Sequence, residues 1–270
     1  MTNAIDFDRA FAFQRWVLET SSTRTVDLPW GTAFFHDEYP LKYDANLALL
    51  DRPLGTSSVA AVDDVMEDLY AGFRHREIEV RSDEDAGRLA LGLAERGYAV
   101  ESLVVMAHRR DPDREPAADQ VEEVDVATVR DLHMEITRRE SWGKEPGIAE
   151  IMVAHRDALV ASVDARIFAQ RIDGQLAGSC ELYVHGDVAQ IEDVGTLEEF
   201  RGKGVARNIV LRAADEARSA GASLVFLFAD ANDWPQHLYG RLGFDVLGPS
   251  RLFTRLPEGE RTDPSKSQDA

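Results

Sequence analysis

The segment Arg201-Gly202-Lys203-Gly204-Val205-Ala206 stands between a strand-like run that ends at Thr196 and a helix-like run from Val205 to Ala220. No other stretch limits the fold as much. Gly202 and Gly204 can take positive φ and bring the backbone close to a ligand, and a helix start turns unpaired N–H groups and a positive dipole end toward the same place. With Arg201, Lys203 and Arg207 as counter-charges, the segment reads as a cradle for an anion such as a pyrophosphate. A Walker loop needs Ser or Thr after its Gly-Lys, but here Lys203 is followed by Gly204 and Val205. A dinucleotide fingerprint needs a third glycine where Arg207 stands. Both patterns fail.

The surrounding periodicity places this loop in an α/β (α+β) chain. After it, Val205, Ile209, Ala213 and Ala217 recur at helical spacing and Gly221 supplies a stop, then Leu224 to Phe228 is a continuous apolar strand. A short helix from Pro235 to Leu242 ends at Gly243, and Phe244 to Leu247 is extended. Before it, helices are expected over Val129–Glu140 and Ile148–Val160. Strands over Ile167–Ile172, Leu176–His185 and Val188–Thr196, joined by Asp173-Gly174 and Gly186-Asp187, predict an antiparallel meander. Farther upstream, helices at Val59–Tyr70 and Glu84–Arg96 and strands at Ile78–Val80 and Leu103–Met106 form a smaller α/β unit.

Arg109 to Asp119 has two prolines, dense charge and no apolar period, and so reads as a linker. The expected division is 1–110 for the smaller unit, 111–119 for the linker and 120–256 for the larger domain. The tail, 257–270, has no bulky apolar residue after Leu256 and is expected to be disordered.

Charge and cysteine content exclude several classes of function. With 49 acidic against 30 basic residues the formal net charge is −19, which repels polyphosphate backbones and argues against nonspecific nucleic-acid binding. No apolar run is long enough to span a bilayer. Asp6 and Asp8 interrupt any signal-peptide pattern, and a lone Cys180 fits a reducing compartment, so a cytoplasmic setting is expected. His133, His155, His185 and His237 lack metal-ligand spacing, and no metal is expected. Cys180 reads as a small core residue, since it lies mid-strand with no histidine beside it.

Residues from about 120 to 256 resemble the GNAT superfamily of acetyl-CoA-dependent N-acetyltransferases. Arg201, Gly204 and Ala206 match that family's Arg/Gln-x-x-Gly-x-Gly/Ala loop, and Asn232, Tyr239 and Leu242-Gly243-Phe244 match a second signature downstream. The resemblance implies a central mixed, mostly antiparallel sheet flanked by helices, with acetyl-CoA held in a splay between the strand ending at Thr196 and the strand at Leu224–Phe228. It implies that backbone groups of Val194, Gly195 and Thr196 hold the pantetheine arm. Gly202, Lys203, Gly204, Val205, Ala206 and Arg207 would hold the pyrophosphate, Asn232 a pantetheine amide, and Tyr239 would lie near the sulfur. Asp233-Trp234-Pro235 after Asn232 is bulkier than is usual in the family. Ala94-Glu95-Arg96-Gly97-Tyr98 faintly echoes the Gly243-Phe244 ending, so the chain resembles a tandem GNAT protein whose amino-terminal half is degenerate, without a phosphate loop, and acts as lid or scaffold.

Acetyl transfer to an amine needs a neutral nucleophile, a proton for the departing thiolate and exclusion of water. Tyr239 is the candidate acid. Adjacent strand residues face opposite sides, so only one of Glu192 and Asp193 can face a given cleft, and Glu192 is the candidate base because Asp193 would share a face with Gly195 and small neighbours. A small primary amine is the expected acceptor. The alternatives are a protein lysine or N-terminus, or an acyl-CoA-binding sensor without turnover. Ser141–Gly147 and Phe34–Asp44 are the loops expected to shape the acceptor side, with Trp142 and Trp234 nearby.

Overall fold

The computed structural model describes residues 2–232 and 234–257. Beyond Pro257 the expected tail lies outside the described residues. The chain begins with α1 (Thr2–Ser21), then β1 (Arg24–Leu28), β2 (Gly31–Phe35), β3 (Leu47–Leu50), α2 (Val59–Leu69), β4 (Arg76–Val80), α3 (Asp83–Ala94) and β5 (Ala99–His108). Next are β6 (Val121–Val124), α4 (Arg130–Arg139), α5 (Ile148–Ser162), β7 (Arg166–Ile172), β8 (Gln175–His185) and β9 (Val188–Thr196). It continues through α6 (Val205–Ser219), β10 (Leu224–Asp230), α7 (Trp234–Arg241) and β11 (Phe244–Arg255).

These elements form two compact units. The first holds residues up to Thr20 with Val105–Ala229 and Trp234–Gly248, and the second holds Ser21–Val104, a short stretch from Asp230, and the chain from Pro249. In the first unit the strands run in the order β10-β9-β8-β7-β6, with the end of β5 beside β10 and the start of β11 beyond it. The expected meander is there: β7 with β8 and β8 with β9 are antiparallel, β6 adds to its outer edge, and β9 pairs in parallel with β10. Cys180 Sγ donates to the Ile209 carbonyl of α6, while Ser179, next to it, meets His133 of α4. Because neighbouring strand residues point to opposite faces, α6 and α4 cover opposite sides of the sheet.

In the second unit β1, β2 and β3 are antiparallel neighbours, β3 pairs in parallel with β4, and β4 pairs antiparallel with Arg251–Arg255 of β11. Val62 and Met66 of α2 and Leu89 and Leu93 of α3 pack over Phe35, Ile78 and Phe253. Ser58 and Ser82 cap these helices through the N–H groups of Ala61 and Asp85.

Two parts of the expected organisation are corrected. The run Arg109–Asp119 is not a linker. Arg109 and Arg110 donate backbone N–H groups to the Gly243 carbonyl, Asp113 to the Arg241 carbonyl and Ala117 to Asn208 Oδ1, so the run is bonded into the first unit. The 1–110 boundary also fails, because α1, to which the sequence assigned no element, packs with the carboxy-terminal strands. Phe13 and Phe11 stand edge-on to Phe226 and Phe228 at 5.6 and 6.0 Å, Trp16 stacks on His185 at 4.2 Å, and Arg9 bonds Asp187 and Ser223. Burying each phenylalanine contributes ~1.5–3 kcal/mol. At the other end β11 runs through Gly248 and Pro249 to Arg255, where the sequence indicated extended structure only to Leu247.

Candidate active site

The site takes shape at an irregularity in β9. Ser179 of β8 stands opposite Gly195, and Glu181 opposite Glu192, so the two residues Asp193 and Val194 oppose the single Cys180. This is a β-bulge, which bends its strand and increases local twist. Asp193 takes φ 51°, in the left-handed region. On its other edge β9 pairs with β10 over Val188–Gln190 against Leu224–Phe226, and among the described residues the ladder goes no further. The strands therefore part just before the bulge, which leaves Val194, Gly195 and Thr196 on the edge that β10 no longer occupies.

The glycine loop lies directly downstream. Gly202 and Gly204 have φ 75° and 85°, and a Cβ at either would meet nothing within 4 Å, so glycine is required there by conformation and not by space. Gly204 is the N-cap of α6, supplies no side chain, and accepts the Asn208 N–H as the first helical bond. The N–H groups of Val205, Ala206 and Arg207 precede that bond, at the positive end of the helix dipole. Arg201 and Lys203 are exposed, with Lys203 Nζ 4.9 Å over the Phe200 ring, and Arg207 is half-buried. A Cβ on Gly178 would lie 2.5 Å from the Gly195 carbonyl oxygen and 2.8 Å from Val205 Cγ1. The loop, the bulged strand and β8 are thus packed as one piece.

A polar network lies on the α4 side of the sheet. His133 Nε2 lies 2.9 Å from Ser179 Oγ, and His133 Nδ1 lies 3.1 Å from Asp193 Oδ2. Arg156 Nε is 3.0 Å from Asp193 Oδ2 and 2.5 Å from Glu181 Oε1, and Tyr183 donates its hydroxyl to Glu181 Oε2. Burial, with Asp193 adding to it and Arg156 opposing, pushes the Glu181 carboxyl up to about 8. A left-handed L-residue costs roughly 1–2 kcal/mol, and hydrogen bonds to charged groups contribute about 1.5–3 kcal/mol each. The Arg156 hydrogen bond to Asp193 is of the same order as that backbone cost, and the His133 contact adds to it.

The bulge overturns the alternation argument for the base. Glu192 faces the same side as Glu181, its cross-strand partner, and Asp193 reaches His133 and Arg156 on that side as well. Both carboxylates share one face. Glu192 accepts from Gln190 Nε2 at 2.6 Å. Tyr239 is buried at 8% exposure, and its phenol is pushed up by burial, then by Glu192, then by Cys180. The structure thus brings Tyr239 and Glu192 within electrostatic reach. Cys180 is fully buried with its thiol held protonated by burial, as befits a core residue. Asn232 clusters with the second unit; it is exposed, and its backbone N–H bonds Asp230 Oδ1 at 2.7 Å. The sequence did not reveal His133, Arg156, Ser179 or Glu181 as part of a site, because each lies on a different element and none belongs to a local motif.

Comparison with known proteins agrees with this geometry. Residues 126–244 match the model of the acetyltransferase (GNAT) family. A mycothiol acetyltransferase of Thermobifida fusca (strain YX) is 31% identical over 98 residues, a stretch covering 33% of this chain and 30% of that protein's length. Among solved structures, a GCN5-related N-acetyltransferase from Kribbella flavida superposes with a TM-score of 0.63 at 21% identity, over 94% of this chain and 96% of that one. A functionally unknown conserved protein from Staphylococcus epidermidis ATCC 12228 gives 0.64 at 16% identity, over 86% and 94%. Both structures share the fold. With the family match spanning the bulged strand, the glycine loop and α7, the segment 126–244 is an acetyltransferase domain of the GNAT family.

Proposed function

We propose that the protein transfers an acetyl group from acetyl-CoA to a primary amine of a small molecule, by direct attack of the amine on the thioester. The observation that carries this reading is the parting of β9 from β10 at a bulge whose strand leads into a glycine-capped helix start. The residues fit the donor. The first amides of α6 with Arg201 and Lys203 suit a pyrophosphate, and the free edge of Val194–Thr196 suits an extended amide-bearing arm. When bound, acetyl-CoA supplies the activated acyl group.

The chain's own residues handle protons. An alkylammonium with pKa near ~10 is only about a thousandth neutral at pH 7, so Glu192 takes the proton from the amine. Tyr239, kept protonated by burial, holds the proton destined for the departing thiolate. The net charge of −19 favours approach of a cationic acceptor. The second unit has no glycine-basic loop and acts as scaffold in this reading.

Thiol release measured with acetyl-CoA over a panel of small primary amines and lysine-bearing peptides tests the proposal. Saturable release with a small amine is expected. Release only with peptides favours a protein acetyltransferase, and tight acetyl-CoA binding with no release from any amine favours a sensor.

A further inference from the structure

Asp193 holds a conformation that its own sequence does not dictate. Glu192-Asp193-Val194 contains no glycine or asparagine, yet Asp193 sits at φ 51° and two residues of β9 oppose one of β8. Its carboxylate is gripped from two different helices, by His133 Nδ1 of α4 at 3.1 Å and Arg156 Nε of α5 at 3.0 Å. Each gripping group is itself fixed. His133 is tied to Ser179 on β8 and Arg156 to Glu181 on the same strand, and all four are at least nine-tenths buried. Gly195, two residues on, lies close under α4: a Cβ there would be 2.9 Å from Ile136 Cδ1, which would have to shift. α4 is therefore seated against the strand immediately after the clamp.

The bulge is also where the sheet opens, since the β9–β10 ladder ends at Gln190, three residues before Asp193. We propose that Asp193 is a positioning residue: clamped by His133 and Arg156, it fixes the bulge and so presents the backbone of Val194–Thr196 to the acyl donor. The inference rests on the acetyl-CoA reading given above. It assigns Asp193 to donor binding and makes His133 and Arg156 its supports, with no proton transfer by any of the three. Asparagine tolerates the left-handed region and can still accept from both partners, whereas alanine can do neither well.

Acetyl-CoA affinity, measured calorimetrically on the full chain without acceptor, separates the outcomes. Asp193→Ala and His133→Ala are expected to weaken binding by about ten- to a hundredfold through lost pre-organisation. Asp193→Asn is expected to stay within about threefold of wild type. If Asp193→Ala does not fold, Asp193→Gly, which adopts the left-handed region without strain, replaces it and is expected to bind about tenfold more weakly because the anchor is gone. Wild-type affinity in the alanine or glycine variant overturns the proposal, as does an asparagine variant as weak as alanine. Wild-type protein that binds no acetyl-CoA overturns the acetyl-transfer reading, and this inference with it.

Discussion

Tyr239 shows how burial sets the state of one side chain. Its phenol is 8% exposed and faces the field of Glu192, and both effects hold its proton on at neutral pH. A protonated phenol can donate to a thiolate, so Tyr239→Phe should lower kcat by about ten- to a thousandfold while acetyl-CoA affinity, measured by calorimetry, barely changes. Glu192→Gln tests the base separately. Turnover should fall by about a hundred- to ten-thousandfold near neutral pH. The residual rate should climb with pH until it reaches the acceptor amine's own pKa, because the free amine then forms without help. A pH–rate profile of that variant no steeper than the wild type's would remove Glu192 from the role. The choice between Glu192 and Asp193 could not be made from strand alternation, since the bulge places both on one face.

Among elements, the junction before α6 was the most legible. Glycine's access to positive φ and a helix's unpaired first amides are local properties, and Gly202 and Gly204 take the conformations their sequence context requires. Gly204→Ala should cost roughly 1–2 kcal/mol for the left-handed backbone. Its main kinetic effect should be a raised KM for acetyl-CoA with a smaller fall in kcat, measured in steady state. α1 was illegible for the opposite reason. Nothing in Thr2–Ser21 names its partners, and Phe13 finds Phe226 more than two hundred residues along the chain. Phe13→Ala should destabilise the protein by about 3–5 kcal/mol, read as a lower denaturation midpoint in urea. An unchanged midpoint would mean that α1 contributes no stability to the first unit.

For the whole molecule, stability should depend on pH through buried acids as well as surface charge. Glu77 in the second unit is 4% exposed, bonded by the Thr254 hydroxyl, and pushed up to about 8 by burial and by Asp44. Its folded-state pKa lies above the ordinary 4.5, so the folded chain holds this proton more tightly than the unfolded one. The resulting stabilisation is complete below about 4.5 and is lost as pH rises through about 8. Glu77→Gln, which keeps the bond to Thr254, should therefore raise Tm relative to wild type at pH 9 and gain least at pH 5, as thermal melts at the two pH values would show. A gain independent of pH would mean that Glu77 does not titrate in this range. By itself the sequence determined the meander, the glycine loop with its helix and the Tyr239 helix, and hence the family resemblance of residues 126–244, because these depend on periods and φ requirements carried within a few consecutive residues. Only the tertiary structure decided which unit α1 and the end of β11 join, and that Asp193 adopts a left-handed bulge. Those outcomes depend on contacts such as His133 and Arg156 with Asp193, made between side chains that are distant in sequence and meet only after the helices have packed on the sheet.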